Sequence, residues 1–264
     1  KVLFIYSVNS SGQNPIIDQQ ILSLENYCEI LKYKVEAKGI MGYLKEANNL
    51  RKFSKINDFD IVHAHYSFKG FIGLFTKKPI ICSLMGSDVL HQNYFIIILT
   101  KFFAKRVWSA TIVKSEQIKR LFKSKTYLIP NGVNQKVFRP IDRKKAKSAV
   151  GFKNDFNIIF VSYDPNNTIK NHPLAKESVN LVNSNDVKLH LISNVSQNDL
   201  VKYYNAADLL LLTSLHEGSP NVVKEAISCN CPVISTDVGD VRSHLNNLNN
   251  CYIVNNDAQE ISEK

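Results

Sequence analysis

Two acidic side chains flank a glycine-containing turn in the second half of the chain. Glu217 lies just before this turn, and Glu225 lies about one and a half turns into the helix predicted after it. The apolar run at residues 209–213 is typical of a buried strand that ends at the turn. The predicted helix begins with free N–H groups and the positive end of the helix dipole, so this position suits an anion such as a diphosphate. An acid on each side of the turn suits a ligand that carries hydroxyl groups as well as phosphate.

Ser219 and Pro220 indicate where that helix begins. Ser219 is predicted to cap the helix, and Pro220 suits its first turn. The same residues also have a plainer interpretation, which is a capped helix beside a solvated acid. The spacing of the residues alone leaves both interpretations open.

Short apolar runs rich in β-forming residues alternate with stretches of helical periodicity along the whole chain. The predicted strands are residues 2–6, 58–65, 79–84, 110–113, 126–129, 157–162, 188–192, 209–213 and 232–235. This alternation predicts an α/β fold of parallel sheets joined by crossover helices. Two doubly wound, Rossmann-like domains explain the pattern better than one sheet, and we place them at residues 1–140 and 141–264. Ligands bind beyond the carboxyl ends of such strands, which is where the candidate residues lie.

Charge divides the chain unequally. Residues 1–140 carry 21 Lys and Arg against 9 Asp and Glu, a net +12, whereas residues 141–264 carry 12 against 14, a net −2. The basic half is suited to nucleic acid, anionic lipid or a phosphorylated substrate, or it is a solvated lysine-rich surface. Zinc-ligand spacing and RNA-binding aromatic motifs are absent from the sequence, so we expect no nucleic-acid partner.

Composition also limits the class of protein. The 264 residues include 44% hydrophobic residues, too many for a disordered chain. No apolar run approaches the roughly 18–20 residues of a membrane-spanning helix, and we expect no signal peptide. Five cysteines, of which only Cys229 and Cys231 are close in sequence, predict neither a disulfide scaffold nor a zinc site. These features favour a cytoplasmic protein.

A basic amphipathic helix is predicted at residues 94–108. Five basic residues follow it, opposed by Glu116 alone: Lys114, Lys119, Arg120, Lys123 and Lys125. A helix of this kind can lie on an anionic membrane, so residues 94–125 predict peripheral binding to the inner face of a membrane. The alternative is an ordinary domain helix whose apolar face lies in the core.

Several segments resemble the retaining GT-B glycosyltransferases of family 4. The most specific extends from Asn205 to Gly239 and includes Glu217 and Glu225; DIVHAH (60–65), GSD (86–88) and IPNGV (129–133) follow the same family order. The resemblance covers nearly the whole chain. It implies a GT-B-like fold, in which two Rossmann-like domains face a central cleft. Residues 1–140 would bind the acceptor, and residues 141–264 would bind the nucleotide-sugar donor.

The resemblance also implies roles for individual residues of the second domain. Glu217 would contact the hydroxyls of the donor sugar as a catalytic residue, and Glu225 would hold the ribose. Lys170 would contact the phosphates, although it has an alternative interpretation as a plain surface lysine. The full set of implied donor-binding residues is Lys170, Glu217, Gly218, Ser219, Pro220, Asn221, Val222, Glu225 and Gly12.

In the first domain the resemblance points to His65 and Asp88. Both would face the acceptor, and Asp88 is the second candidate catalytic residue; the alternatives are a hydrogen-bonded structural histidine and a helix-capping aspartate. Gly12 is the one glycine left in the loop that is glycine-rich in the family. Met85 stands where many relatives have His or Arg, which weakens any role for a side-chain base there.

The function implied is retaining, metal-independent transfer of a sugar from a nucleotide-sugar to a glycan or lipid-linked acceptor in polysaccharide or glycolipid biosynthesis. No cofactor is expected, because the nucleotide-sugar is a substrate. Residues 162–168 contain no Arg, whereas relatives usually pair an Arg with the phosphate-binding Lys. That departure and Met85 keep two alternatives open: a non-catalytic sugar-nucleotide binding protein and a GT-B-type sugar-nucleotide epimerase.

Overall fold

The structure is a computed structural model. It describes residues 1–8, 12, 14–37, 39–90, 92–122 and 126–264. The chain divides into two compact units, Lys1–Asn131 and Gly132–Lys264. Each unit contains one parallel β-sheet with helices on its faces. The predicted α/β fold with two Rossmann-like domains is therefore confirmed.

The first unit contains a six-stranded parallel sheet in the order β2-β1-β3-β4-β5-β6. Each predicted strand of this half is present, with its ends shifted by a few residues. The strands are β1 (Val2–Ser7), β2 (Ile30–Val35), β3 (Ile61–His65), β4 (Ile80–Leu84), β5 (Ala110–Val113) and β6 (Thr126–Leu128). The helices are α1 (Pro15–Leu24), α2 (Gly39–Ile56), α3 (Ser67–Gly73), α4 (Ser87–Leu90), α5 (Tyr94–Arg106) and α6 (Glu116–Lys119), with a short 3₁₀ turn at Leu74–Thr76.

Both faces of this sheet are covered, as the inner strand β1 demonstrates. Leu3 and Ile5 pack into the main hydrophobic core, whereas Phe4 and Tyr6 pack into a second core with residues of α1. Successive side chains of a strand point to opposite faces, so a strand buried on both sides must be apolar at every position.

The second unit contains a five-stranded parallel sheet in the order β11-β10-β9-β7-β8. Its strands are β7 (Phe156–Val161), β8 (Val187–Ile192), β9 (Leu209–Leu212), β10 (Val233–Thr236) and β11 (Tyr252–Val254). Its helices are α7 (Arg143–Val150), α8 (His172–Leu181), α9 (Gln197–Ala206), α10 (Asn221–Ser228), α11 (Val241–Leu245) and α12 (Ala258–Ser262), with a 3₁₀ turn at Thr168–Lys170.

The leucine run of β9 lies at the centre of the second sheet. Leu210 and Leu212 pack into one hydrophobic cluster, and Leu209 and Leu211 pack into another on the opposite face. The strand ends at Leu212, so the candidate donor-binding turn that follows it lies at the carboxyl edge of this sheet.

The two units meet in sequence between Asn131 and Gly132, whereas the sequence analysis placed the division after residue 140. Phe138 explains the difference, because it is buried in the core of the second unit, where Val133 and Val137 also pack. The side chain of Asn205 in α9 also holds this segment, accepting from the Ile141 backbone N–H at 2.8 Å and donating to the Arg139 carbonyl at 3.1 Å.

No helix among the described residues combines the length and the apolar character that crossing a membrane requires.

Candidate functional site

Lys170 and Glu217 come together at the carboxyl edge of the second sheet, although 47 positions separate them in sequence. Lys170 Nζ lies 2.6 Å from Glu217 Oε1. The same carboxylate oxygen accepts a hydrogen bond from Ser214 Oγ at 2.9 Å. Both charged side chains are about one-fifth exposed, so solvent and ligands can reach the pair.

Backbone hydrogen bonds fix the segment that carries Lys170. The Thr213 hydroxyl reaches the carbonyl oxygens of Lys170 at 3.1 Å and Asn171 at 2.9 Å. The backbone N–H of Leu215 donates to the carbonyl of Ile169 at 2.8 Å. The ends of β7 and β9 are thereby joined, and this connection places Lys170 beside the turn that contains Glu217.

The turn leads directly into α10. Pro220 occupies the N-cap position and makes no capping hydrogen bond. The predicted N-cap position, Ser219, is therefore wrong by one residue. The Ser219 hydroxyl donates to Asp240 Oδ2 at 2.7 Å. Asn221 Oδ1 at the helix start is buried and accepts no hydrogen bond from the described residues. The start of α10 keeps the positive dipole end that the sequence analysis expected.

A buried ionic network lies behind the turn and was missed by sequence reasoning. Lys224 Nζ lies 2.9 Å from Asp240 Oδ2 and also donates to the Ser219 hydroxyl. His244 Nε2 approaches the same Asp240 oxygen at 3.1 Å. Burial lowers the pKa of Lys224, and the hydrogen bond and charge of Asp240 oppose that shift. In the sequence Lys224 follows two valines and precedes Glu225, and this pattern does not identify Asp240 as its partner.

Gly239 fixes the position of the turn from the side of β10. Its φ is +61°, and a Cβ at this position would lie 2.8 Å from the carbonyl oxygen of Gly218. Thr236 adds a hydrogen bond of 2.7 Å from its hydroxyl to the carbonyl of Ser214. The turn is therefore held by β10 as well as by the segment of Lys170.

Glu225 is buried in α10 and faces Tyr204 of α9. The Tyr204 hydroxyl donates to Glu225 Oε2 at 2.9 Å. Burial raises the pKa of Glu225 to about 7, although the hydrogen bond from Tyr204 acts in the opposite direction. Tyr204 is a further site residue that sequence reasoning missed.

In the first unit, the structure places His65 at the end of β3 and buries it. His65 Nε2 lies 2.9 Å from Gln20 Oε1. The centre of its ring lies 4.2 Å from the centre of the His63 ring and 5.0 Å from that of the Phe4 ring. Burial is the main reason why the pKa of His65 lies well below its usual value, so the ring is neutral at physiological pH. This is the environment that the structural interpretation of His65 expects.

Asp88 is also fully buried, at the start of α4. Its Oδ1 accepts the backbone N–H groups of Met85 and Gly86, each at 2.9 Å, and its Oδ2 accepts that of Ser67 at 3.0 Å. Burial raises the pKa of Asp88 to about 6, against the effect of these hydrogen bonds. These hydrogen bonds hold the backbone before α4 and the first residue of α3, and not the helix that follows Asp88. Contact with an acceptor stays a prediction.

Gly12 has a φ of +73°, and its carbonyl accepts a hydrogen bond from Lys34 Nζ at 2.9 Å. Ser10 and Ser11 of the same predicted loop lie outside the described residues.

Among the described residues, no group of three His, Cys, Asp or Glu side chains is placed to hold one metal ion.

Comparison with known families gives two matches along the chain. The sequence model described as "Glycosyl transferase 4-like" matches residues 10–129, and the model described as "Glycosyl transferases group 1" matches residues 148–264. The two matches leave out only residues 1–9 and 130–147. The first match lies within the unit Lys1–Asn131, and the second lies within the unit Gly132–Lys264.

The chain is also similar to TuaC of Bacillus subtilis (strain 168), an inferred teichuronic acid biosynthesis glycosyltransferase. The identity is 26% over 236 residues, which is 77% of this chain and 60% of TuaC. The chain therefore spans about three-fifths of the length of this curated relative.

Solved structures share the fold at low sequence identity. Sucrose-phosphate synthase from Thermosynechococcus elongatus superposes with a TM-score of 0.80 at 16% identity, covering 100% of this chain and 88% of that one. Anabaena HepE, crystallised in complex with UDP-glucose, gives a TM-score of 0.75 at 15% identity, covering 99% of this chain and 88% of that one.

Proposed function

Because the chain belongs to the GT-B glycosyltransferases of the group 1, family 4-like type, we propose that it transfers a sugar from a nucleotide-sugar to an acceptor. The acceptor is a glycan or a lipid-linked sugar, and the transfer retains the anomeric configuration without a metal ion. The pathway is polysaccharide or glycolipid biosynthesis, in keeping with the teichuronic acid assignment of TuaC.

The observation that carries this proposal is the Lys170–Glu217 pair beside the start of α10. The pair joins a cation to a carboxylate at 2.6 Å, next to a helix whose N-cap residue, Pro220, makes no capping hydrogen bond. A diphosphate suits the ammonium group and the helix start, because both stabilise negative charge. The carboxylate of Glu217 suits hydroxyl groups of the attached sugar.

Glu225 completes the donor site in this proposal by accepting hydrogen bonds from the ribose hydroxyls. Tyr204 occupies Glu225 Oε2, so the carboxylate is held in one orientation while it binds the ribose. HepE was crystallised with UDP-glucose, which supports a nucleotide-sugar as the class of donor.

The proposed reaction exchanges one bond at the anomeric carbon for another. The bond between that carbon and the diphosphate oxygen breaks, and its electron pair leaves with the nucleoside diphosphate. An acceptor hydroxyl oxygen forms the new bond on the same face, and its proton passes to the departing phosphate oxygen. Lys170 and the start of α10 stabilise the charge that develops on the leaving group.

Glu217→Gln tests the catalytic assignment, with Glu177→Gln on the exposed face of α8 as a matched control. The pair is partly exposed, so its loss costs only about 1 kcal/mol of stability and the variant folds. We expect Glu217→Gln to lower turnover of the preferred UDP-sugar by about two orders of magnitude, and Glu177→Gln to leave it unchanged. Full activity of Glu217→Gln would overturn the role.

The preferred donor can be found by thermal shift with a set of nucleotide-sugars, since a ligand that binds the folded state raises the melting temperature. Product analysis then separates the alternatives. A transferase consumes donor and acceptor together, an epimerase converts the donor without acceptor, and a binding protein releases no free nucleotide. NMR of the product tests retention, and activity in EDTA tests metal independence.

We also propose that α5 docks the protein on an anionic membrane. One continuous face of this helix is exposed, and it combines large apolar and basic side chains: Tyr94, Phe95, Ile98, Lys101, Phe102, Lys105 and Arg106. An ordinary domain helix turns such apolar side chains towards the core. Lys114 does not contribute, because it is buried and donates to the Ile129 carbonyl at 3.3 Å. Lys123 and Lys125 lie outside the described residues.

Co-sedimentation with vesicles tests this docking surface. We expect binding to phosphatidylglycerol vesicles but not to phosphatidylcholine vesicles, with about 1 kcal/mol from each basic side chain and a loss at high salt. Phe102→Ser should weaken binding, whereas Tyr27→Ser, which changes an exposed aromatic side chain after α1, should not. Salt-insensitive binding, or equal binding by both variants, would contradict the proposal.

A further inference from the structure

A buried lysine lies beside the carboxyl ends of the first sheet. Lys69 of α3 is only 5% exposed. Its Nζ donates to the Tyr43 hydroxyl at 3.0 Å and lies 4.8 Å from the centre of the Tyr66 ring and 5.4 Å from that of the Tyr43 ring. The ammonium group therefore has one neutral hydrogen-bond partner and two aromatic faces.

The charge of Lys69 is only partly compensated. Asp88 stabilises it at a distance, but both oxygens of Asp88 accept backbone hydrogen bonds. Burial accordingly lowers the pKa of Lys69 to about 8. An ammonium group removed from water without a close counter-charge is unfavourable, so an anion placed against it would be bound strongly.

Aromatic side chains form a platform around this charge. The Phe68 ring lies 5.2 Å from the Tyr43 ring and stacks on the Tyr66 ring at 6.4 Å. All three rings are partly exposed. Gln92 adds an amide, which donates to the Tyr66 hydroxyl at 3.1 Å. Ligand sites are commonly built in this way, from aromatic surface with a few fixed polar groups.

The backbone at this position is strained. Tyr66 has a φ of +91°, which is rare for a residue other than glycine. It directly follows β3, at the edge where doubly wound sheets bind their ligands. Strain of this kind concentrates at functional sites.

We propose that Lys69, with the rings of Tyr43, Tyr66 and Phe68, forms the acceptor subsite for a sugar that carries a carboxylate or a phosphate group. The anion pairs with Nζ, and the sugar ring lies against the aromatic platform. This assignment of an acceptor class rests on the proposed transferase function, but the binding it requires can be measured without the donor.

Saturation-transfer NMR titrations with glucuronate, glucose 6-phosphate and glucose test the subsite at about pH 7. The two anionic sugars separate a carboxylate from a phosphate, and glucose reports binding without charge. We expect at least one anionic sugar to bind about tenfold more tightly than glucose, the size of one charge-assisted contact. Equal affinity for all three sugars would overturn the proposal.

Lys69→Met should abolish this preference while the variant stays folded, because the substitution removes a desolvated charge and keeps the chain length. Lys78→Met is the matched control. Lys78 also lies over an aromatic ring, 5.8 Å from the centre of Phe59, but it is more exposed and pairs with Asp58. A preference that survives Lys69→Met, or that Lys78→Met also removes, would contradict the assignment.

A pH titration of the wild-type protein tests the role of the Lys69 charge even if Lys69→Met fails to fold. The titratable groups facing Lys69 are Tyr43 and Tyr66, whose pKa values are raised above 10, and Asp88, whose pKa is about 6. The preference for the anion should therefore disappear as the pH rises through about 8; a preference that persists to about pH 9.5 would overturn the proposal. A protein that binds UDP but no anionic sugar would refute only this subsite.

Discussion

Glu217 and Glu225 occupy different electrostatic surroundings at the two ends of one turn. Glu217 is partly exposed and paired with Lys170, whereas Glu225 is buried and has a neutral tyrosine as its partner. Two carboxylates whose surroundings differ in this way are suited to different tasks. Glu217 is open to a ligand, and the ionisation of Glu225 depends on pH near neutrality.

The raised pKa of Glu225 makes the stability of the protein pH-dependent. The pKa is about 7 in the folded protein against 4.5 for the free side chain, so the unfolded state loses its proton first as the pH rises. The contribution of Glu225 to the free energy of unfolding is therefore fully present below about pH 4.5. It decreases as the pH rises from about 4.5 to about 7, by about 3 kcal/mol in total. Glu225→Gln should remove this component when urea unfolding of the two proteins is compared across that range. An unchanged pH dependence would contradict the burial of this carboxylate.

Nucleotide binding should show the opposite trend with pH. In the proposed donor site the ribose hydroxyls donate to the ionised carboxylate, so the affinity for UDP, used as the probe in calorimetry, should increase as the pH rises through about 7. Tyr204→Phe removes the hydrogen bond that lowers the pKa of Glu225, and the midpoint should move to a higher pH. Tyr203→Phe, which changes the neighbouring half-buried tyrosine, is the control. Identical midpoints in both variants would exclude Tyr204 as a positioning residue.

Sequence reasoning identified the two acids of the site and Lys170, but neither Tyr204 nor the ionic network behind the turn. Glu217 and Glu225 were found from their spacing around a turn, and the family resemblance assigned their roles. The pairing of Lys224 with Asp240 depends on how α10 packs beside the residues after β10, which no local pattern encodes. The N-cap was placed one residue too early, at Ser219 rather than Pro220, and the hydrogen bond from Ser219 to Asp240 was not foreseen.

The turn before α10 is an element held by its neighbours. Hydrogen bonds from Thr213, Leu215 and Thr236 tie it to the segments on both sides, and Gly239 packs against it with no room for a side chain. A ligand that uses backbone N–H groups needs such a turn to be fixed in advance, because ordering it on binding would lower the affinity.

Gly239→Ala should therefore destabilise the protein and weaken nucleotide binding. Its Cβ would collide with the Gly218 carbonyl, and the positive φ adds strain, so we expect a loss of about 2 kcal/mol or more in urea unfolding. Gly151→Ala isolates the contact, because Gly151 has a φ of +73° but nothing within 4 Å of a Cβ. It should lose about 1 kcal/mol and bind UDP normally. Equal losses of stability and affinity in both variants would show that the Gly218 contact is unimportant.

Elements were predictable where one signal dominated. The β9 leucines required burial on both faces, and that strand was found. The edge strand β2 alternates lysines with apolar residues and was missed, as was α2, where apolar positions are sparse among polar ones. In both cases packing against neighbours, rather than local pattern, decides the structure.

Across the whole molecule, the net charge resides in one unit. Lys1–Asn131 carries 19 Lys and Arg against 9 Asp and Glu, a net +10, whereas Gly132–Lys264 carries 14 of each. The neutral unit contains the proposed donor site, and the basic unit contains both α5 and Lys69. The excess of basic residues in the first unit is therefore suited to binding the acceptor and the membrane rather than the nucleotide.

Each unit has its own sheet and core, so the second unit should fold and bind nucleotide alone. A fragment of residues 132–264 should gain as much thermal stability from UDP as we expect for the full chain. A fragment of residues 141–264 should be less stable by about 3 kcal/mol, because it lacks the fully buried Phe138 ring. Urea unfolding of the two fragments measures this difference. Equal stability would place the true boundary after residue 140, and failure of both fragments to fold would show that the second core depends on the first unit.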